Sequence, residues 1–208
     1  MYVELVAITP NPEKVIEKAG RTCYRSASKA QQGSEKEFIR TIIENGHHSV
    51  LEHAYATFRV TGVSRSFTHQ LVRHRLCAFS QRSQRYVDEQ DFAFVEPGSI
   101  AENTEAHRLF EKSMAEARST YRRLQALGIK NQDARYILPN ATQSEIVLSA
   151  NFRELRHIFR LRCDRRAQWE IRQVALQMLR IMKKEAPSVF GDFVIDKNTD
   201  TAYTPFLS

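Results

Sequence analysis

Over residues 99–127 apolar side chains return every third or fourth position, at Leu109, Phe110, Met114, Ala117, Tyr121 and Leu124, and Gly128 stands where such a run should stop. Only a helix puts that spacing on one face, so a large part of the chain is committed to helical packing. Shorter helices are predicted after Asn11-Pro12-Glu13 and ending at Gly20, then from Ser34 through Ile43, with Glu37 placed for a capping box and Gly46 just beyond. Residues 64–73, 152–162 and 166–184 read the same way, with a short element around Ala134 closed by Pro139. Strand patterns are fewer. The chain opens on an apolar run that stops at Pro10, residues 54–60 set Tyr55, Thr57 and Arg59 against Ala56, Phe58 and Val60 until Gly62 breaks the pattern, and residues 145–150 complete the set. Two or three strands among five or six helices predict an α+β fold, a small, mostly antiparallel sheet surrounded by helices. No linker, repeat or low-complexity segment divides the 208 residues, so a single domain over 1–208 is expected, with a loosely packed, mobile tail over 192–208.

The chain carries 31 Lys and Arg against 24 Asp and Glu, a net charge of +7, and 22 of the cations are arginine. Arginine exceeds what solubility needs and suits bidentate recognition of phosphate and carboxylate. The composition admits two readings, nucleic acid or several small phosphorylated ligands. Three scattered cysteines, Cys23, Cys77 and Cys163, fit neither a disulfide framework nor a zinc site. No apolar run approaches the roughly 20 residues of a membrane span, and the first residues read as a strand rather than a leader. A cytoplasmic location is expected.

Residues 73–86, Arg73-His74-Arg75-Leu76-Cys77-Ala78-Phe79-Ser80-Gln81-Arg82-Ser83-Gln84-Arg85-Tyr86, hold four arginines and no acid. A solvated face normally mixes both signs, so this run repels itself unless anions bind there. Ser83 and Arg85, two apart, would share one side of an extended backbone, with Arg82 and Gln84 on the other. Cys77 among arginines should favour its thiolate. No Cys-His-Asn order or serine triad accompanies it or Ser83, however, so Cys77 reads as a small buried residue and Ser83 as a hydrogen-bonding ligand.

In residues 151–162 Leu155, Ile158, Phe159 and Arg162 share a helical face, so Arg162 ends an apolar stripe and needs either a carboxylate from a neighbouring helix or an anionic ligand. A third block, Gly46-His47-His48-Ser49-Val50-Leu51-Glu52-His53, gathers histidines at a spacing that matches no helical zinc motif, and no metal is assigned. No Gly-x-Gly-x-x-Gly follows the first strand, which argues against a Rossmann-type cofactor site.

The order Arg-His-Arg, seven residues, Ser resembles the hallmark of the flavin-dependent thymidylate synthases, and the Gly-His block and residues 151–170 resemble two further blocks of that family in the same order. The resemblance implies reductive methylation of dUMP to dTMP, with 5,10-methylenetetrahydrofolate as carbon donor, NADPH as reductant and bound FAD between them. It places FAD on His47, Ser49, Arg73, His74, Arg75, Gln81, Asn151, Arg153 and His157. It places dUMP on Gln70, Arg73, Gln81, Arg82, Ser83, Gln84, Arg85, Arg135 and Arg162, with Arg162 the catalytic arginine at the uracil ring. Many members carry glutamate where this chain has Gln81; the amide still hydrogen-bonds but adds no negative charge. A homotetramer with shared active sites is implied. The competing class, a nucleic-acid binder stacking bases on Phe79, Tyr86 and Trp169, is weakened by the interspersed acids Glu145, Glu154, Asp164 and Glu170.

Overall fold

The computed structural model describes residues 1–23 and 25–206; the last two residues of the expected tail lie outside them. In chain order the elements are β1 (Tyr2–Ile8), α1 (Pro12–Cys23), α2 (Ser34–Glu44), β2 (Tyr55–Ser64), α3 (Arg65–Leu71), β3 (Ala78–Gln81) and α4 (Gly98–Ala101). Then come α5 (Thr104–Ala126), α6 (Asn131–Ala134), β4 (Gln143–Asn151), α7 (Phe152–Arg162), α8 (Trp169–Glu185), α9 (Pro187–Phe190), β5 (Val194–Asp196) and β6 (Thr201–Tyr203). A four-stranded sheet in the order β1-β2-β4-β3 and a two-stranded β5-β6 hairpin lie among these helices, so the α+β expectation holds. The hairpin falls in the expected tail, with Ala202 buried and Ile195 opposite it.

β4 is the clearest case of sequence dictating structure. Ser144, Ile146, Leu148 and Ala150 are buried while the residues between them are half-buried, the period of two that a strand with a core face requires. β2 alternates as its pattern predicts, burying Ala56, Phe58 and Val60. Its hydroxyl pair Thr57–Ser149, 2.8 Å apart, and the bonds Phe152 N to Ala54 O and Arg65 N to Thr142 O fix an antiparallel register with β4. Gly62 does not break β2. With φ of +69° it lets the strand continue, and a Cβ there would stand 3.3 Å from the Met1 backbone.

The chain resolves into two compact units. One comprises Met1 and residues 61–71 and 80–146; the other comprises residues 2–60, 72–79 and, among the described residues, 147–206. In the first, the single long helix expected over 99–127 is two. Asn103 interrupts it, its side chain accepting from Glu105 N (3.1 Å) and Ala106 N (3.0 Å), and so starts α5 afresh after the short α4. Only Met114 and Tyr121 of α5 are buried, and Leu109 is exposed; Gly128, at φ +83°, follows its end as predicted. In the second unit, Ser34 does not build a capping box. It is the first residue of α2, behind Gly33; its hydroxyl donates to Glu17 at 2.6 Å and its oxygen accepts from Gln31 N at 2.9 Å, so it caps no N–H of its own helix. α8 begins at Trp169 rather than 166 because the Gln168 side chain caps it.

The core of the second unit is α7, α8 and α9 with β1 and the hairpin. Phe152 and Phe159 meet Phe190 edge-on at 5.2 and 5.7 Å, and Phe193 meets Phe159 at 6.1 Å. Arg156 runs through this apolar region 1% exposed, with Asp192 as a bidentate partner at 2.7 and 2.8 Å and Val189 O as a third acceptor. Burial pushes the Asp192 carboxyl up, but the bonds and charge of Arg156 outweigh it and hold it below the ordinary range. This pair locks α7 to the chain after α9, and it is structural.

Candidate active site

α7 explains why so many of the expected cofactor residues come together. Asn151 caps it, accepting from Glu154 N at 2.8 Å, so the helix starts where the sequence places it and runs to Arg162. Leu155, Ile158 and Phe159 are buried along one face, and Arg162 ends that face half-buried, as the periodicity predicts. Its partner is not the carboxylate of a neighbouring helix. Arg162 Nε donates to His74 Nε2 at 3.0 Å, and His74 Nδ1 stands 3.3 Å from Glu154 Oε1.

These two bonds fix protonation. A guanidinium only donates, so His74 Nε2 accepts; a neutral imidazole has one N–H, which must then sit on Nδ1 and point at Glu154. The electrostatics agree. Burial, then the nearby Arg162 and His157, push His74 down to about 4. His157 meets His74 edge-on at 5.9 Å and is itself lowered by burial and by Arg160 and Arg162. Burial raises the Glu154 carboxyl and lowers the Arg162 guanidinium. Ligand atoms of His74, Glu154 and His157 lie within 4.8 Å of one another, a spacing a metal could use. His74 has no lone pair to spare, however, so the cluster reads as a hydrogen-bond chain.

Beside this chain, Asn151, Arg153 and His157 line a cleft of about 480 Å³ together with Glu52, Leu76 and Glu154. Arg153 also borders a second cleft of about 400 Å³ with His47, His48 and Ser49. Five expected cofactor residues, His47, Ser49, Asn151, Arg153 and His157, therefore lie on two clefts that share one arginine. Arg153 is bonded to Glu52 at 2.6 Å, but both side chains are about half exposed, so a ligand can displace the pair at little cost. His48 is buried with Nε2 on Ile43 O at 3.2 Å, a packing role; His47 and His53 are exposed, and of these two it is His47 that borders the second cleft. Arg73 and Arg75 are exposed in the turn between α3 and β3.

Cys77 does not have the expected thiolate bias. Burial and the charge of Glu154 push its thiol up to about 12, and the arginines around it in sequence do not offset them. It is no nucleophile at neutral pH, in line with the structural reading.

The expected nucleotide residues Gln70, Gln81–Arg85 and Arg135 belong to the other unit, while Arg73 and Arg162 do not. Gln81 ends β3, a strand the sequence reading did not anticipate, and its amide donates to Thr68 Oγ1 (2.9 Å) and Ser144 Oγ (3.3 Å). A carboxylate there could make neither bond as an acceptor without a hydroxyl turning to it, so the amide is matched to its surroundings. The backbone then leaves the extended form: Ser83 O accepts from Tyr86 N and Val87 N. The expected shared face of Ser83 and Arg85 is thus replaced by a turn in which Ser83 Oγ accepts from Arg85 N at 3.3 Å.

Within this turn the residues divide. Arg82 is turned inward onto Gln143 O and Glu89, which holds the turn against β4. Gln84 is buried with its amide nitrogen unsatisfied. Arg85 donates to Gln132 Oε1 at 3.1 Å and Arg135 to Gln132 O at 3.1 Å, so one residue that no motif marked holds two arginines by neutral acceptors. Arg65 was also not marked; burial, then repulsion from Arg135 and Arg82, lowers its guanidinium despite the opposing charge of Glu89. Cations so grouped, two of them held by neutral acceptors, have the chemistry to receive an anion. Gln70 is half-buried on α3, donating to Ser66 O at 3.5 Å.

The class of protein so defined is an α+β chain that gathers arginines, imidazoles and amides along its clefts and turns. The family model described as thymidylate synthase complementing protein matches residues 4–188. The flavin-dependent thymidylate synthase of Geobacter sulfurreducens is 43% identical over 200 residues, covering 92% of this chain and 86% of that protein. That of Nitratidesulfovibrio vulgaris is 42% identical over 208 residues, covering 91% and 85%. A crystal structure of thymidylate synthase X from Helicobacter pylori with FAD and dUMP is similar at a TM-score of 0.78 and 26% identity, covering 92% of this chain and 98% of that one. The chain belongs to the flavin-dependent thymidylate synthase family, as its three sequence blocks imply. Among the described residues no helix is long and apolar enough to cross a membrane.

Proposed function

We propose that this chain binds FAD and makes dTMP from dUMP, taking the methylene from 5,10-methylenetetrahydrofolate and the reducing hydride from NADPH, as one domain over 1–208 of a cytoplasmic homotetramer. The observation that carries the reading is the partner of Arg162. A neutral imidazole steers this guanidinium without cancelling its charge, and among the described residues only Nε is used, so the two Nη groups remain for a ligand. A half-buried cation kept in that state stabilises negative charge developing on a uracil ring, as oriented donors do at an oxyanion.

The donor set on the two clefts fits a flavin. Asn151 spends its oxygen on the α7 cap and keeps its amide for a ligand, while His47, Ser49, Arg153 and His157 offer donors to carbonyl and pyrophosphate oxygens. Arg73, Arg75 and Gln81 complete the assignment; His74, with both ring nitrogens engaged by Glu154 and Arg162, serves the site through Arg162. FAD, when bound, supplies the hydride relay between NADPH and the nucleotide. Arg85 and Arg135, positioned by Gln132, hold the dUMP phosphate with Ser83. Gln70, Arg73, Gln81, Arg82 and Gln84 form the rest of its site, Arg82 by holding the turn and Gln84 through its free amide.

An anaerobic absorbance titration of desalted, FAD-reconstituted protein with NADPH in the presence of dUMP tests the reading. A retained flavin spectrum that bleaches, followed by dTMP formation on adding methylenetetrahydrofolate, is expected. Protein that retains no flavin would overturn it and return the arginine cluster to the nucleic-acid hypothesis.

A further inference from the structure

We propose that Glu154 and His74 form a buried positioning relay for Arg162, in which the carboxylate fixes the His74 tautomer and the imidazole fixes the guanidinium. The inference rests on the role given to Arg162 above and adds two residues that act through it. Family resemblance puts His74 on the flavin and gives Glu154 no part.

The geometry carries the inference. Glu154 is 5% exposed and His74 is 5% exposed, so neither partner is free to turn to water. Glu154 is set from behind by Asn151, which holds its backbone N–H at 2.8 Å. The bonds then run in one direction: His74 Nδ1 donates to Glu154 at 3.3 Å, and Arg162 donates to the bare Nε2 at 3.0 Å. A buried acid with a raised affinity for its proton is costly to keep. Its effect is on orientation. With the N–H drawn to Nδ1, Nε2 always presents a lone pair, so Arg162 has one stable pose with both Nη groups spare. The logic is that of an acid behind a catalytic histidine, where loss of the charge permits the wrong tautomer. Here the histidine is not the base; it is the mount of a cation.

Replacement of Glu154 by Gln keeps volume but lets an NH₂ face Nδ1. The ring proton then moves to Nε2 and meets Arg162 Nε donor to donor. In Glu154→Gln we expect kcat to fall about 10- to 100-fold, as when other outer-shell partners are lost. Flavin retention and KM for dUMP should stay within about threefold of wild type. The readout that a merely structural role would not move is the ¹⁵N spectrum of the His74 ring in FAD-loaded wild-type protein, assigned by its loss in His74→Gln. A protonated Nδ1 and bare Nε2 at neutral pH are expected, and a protonated Nε2 would overturn the relay whether or not any variant folds. Wild-type kcat in Glu154→Gln, while Arg162→Ala is inactive, would also overturn it. Wild-type turnover in Arg162→Ala would instead remove the catalytic reading on which the relay's purpose rests, with the tautomer still decided by the spectrum.

Discussion

Arg156 and Arg162 lie six residues apart on one helix, and they have opposite fates. Arg156 is 1% exposed and clamped by the Asp192 carboxylate, so its charge is neutralised and its donors are spent on holding the fold. Arg162 is only half-buried, meets a neutral imidazole and keeps both its charge and two donor groups. The partner, more than the burial, separates a structural cation from a chemical one. The same distinction orders the other unit, where Arg82 turns inward to Glu89 and Gln143 O while Arg85 and Arg135 are held by the neutral Gln132.

The largest test of this contrast is to remove each arginine's role in turn. Arg162→Ala should lower kcat by about 10³-fold or more, ~4 kcal/mol of transition-state stabilisation, while shifting the urea midpoint little. Steady-state dTMP formation beside an unfolding curve measures both. Asp192→Ala should do the reverse, leaving the Arg156 charge buried and unpaired at a cost of about 3–4 kcal/mol in unfolding free energy. If Asp192→Ala unfolds like wild type, the structural half of the comparison is lost.

Protonation of His74 sharpens the comparison next. Its folded pKa of about 4 lies below the ordinary 6.5, so the unfolded chain binds the proton first. This contribution is therefore full above 6.5 and is lost progressively as pH falls toward about 4, by up to about 3 kcal/mol, with the raised Glu154 carboxyl acting in the opposite direction. Stability should fall more steeply from pH 7 to 4 for wild type than for His74→Gln; parallel curves would mean that folding does not depress the His74 pKa. Smaller still, Gln132→Ala should raise KM for dUMP about three- to tenfold, ~1 kcal/mol, with kcat retained. An unchanged KM would deny it the role of anchor. Cys77→Ala should leave turnover within about twofold, because a thiol at about 12 supplies no thiolate; a loss of several orders of magnitude would reopen covalent catalysis.

What could be read from sequence was whatever depends on local period and local capping. The alternation in β4, the stripe Leu155, Ile158, Phe159 and Arg162, and Asn151 at the head of α7 are all visible in a single stretch of chain. The three blocks placed the family for the same reason. Glu154 and Arg156 were not legible, because an acid in a first turn and an arginine beside a histidine look like ordinary solvated charges until His74 and Asp192, 80 and 36 residues away, come into contact. Ser34 went astray likewise, since its hydroxyl donates to Glu17 and accepts from Gln31 N instead of capping its own helix. The turn at Ser83 differs in kind: the sequence offered an extended run, but the two bonds to Ser83 O close it and let Arg82 and Arg85 serve different masters.

The straight run from Asn151 to Arg162 also works as a ruler. With one rigid helix between them, about 16 Å long at 1.5 Å per residue, the spacing of a capping amide and a guanidinium is set by covalent pitch and is indifferent to side-chain motion. A single residue inserted in the middle of α7 would turn everything beyond it by about 100° and advance it by about 1.5 Å. Phe159 would then leave the aromatic cluster and Arg162 would leave His74, so length variation in this family should be found in its loops and be excluded from this helix.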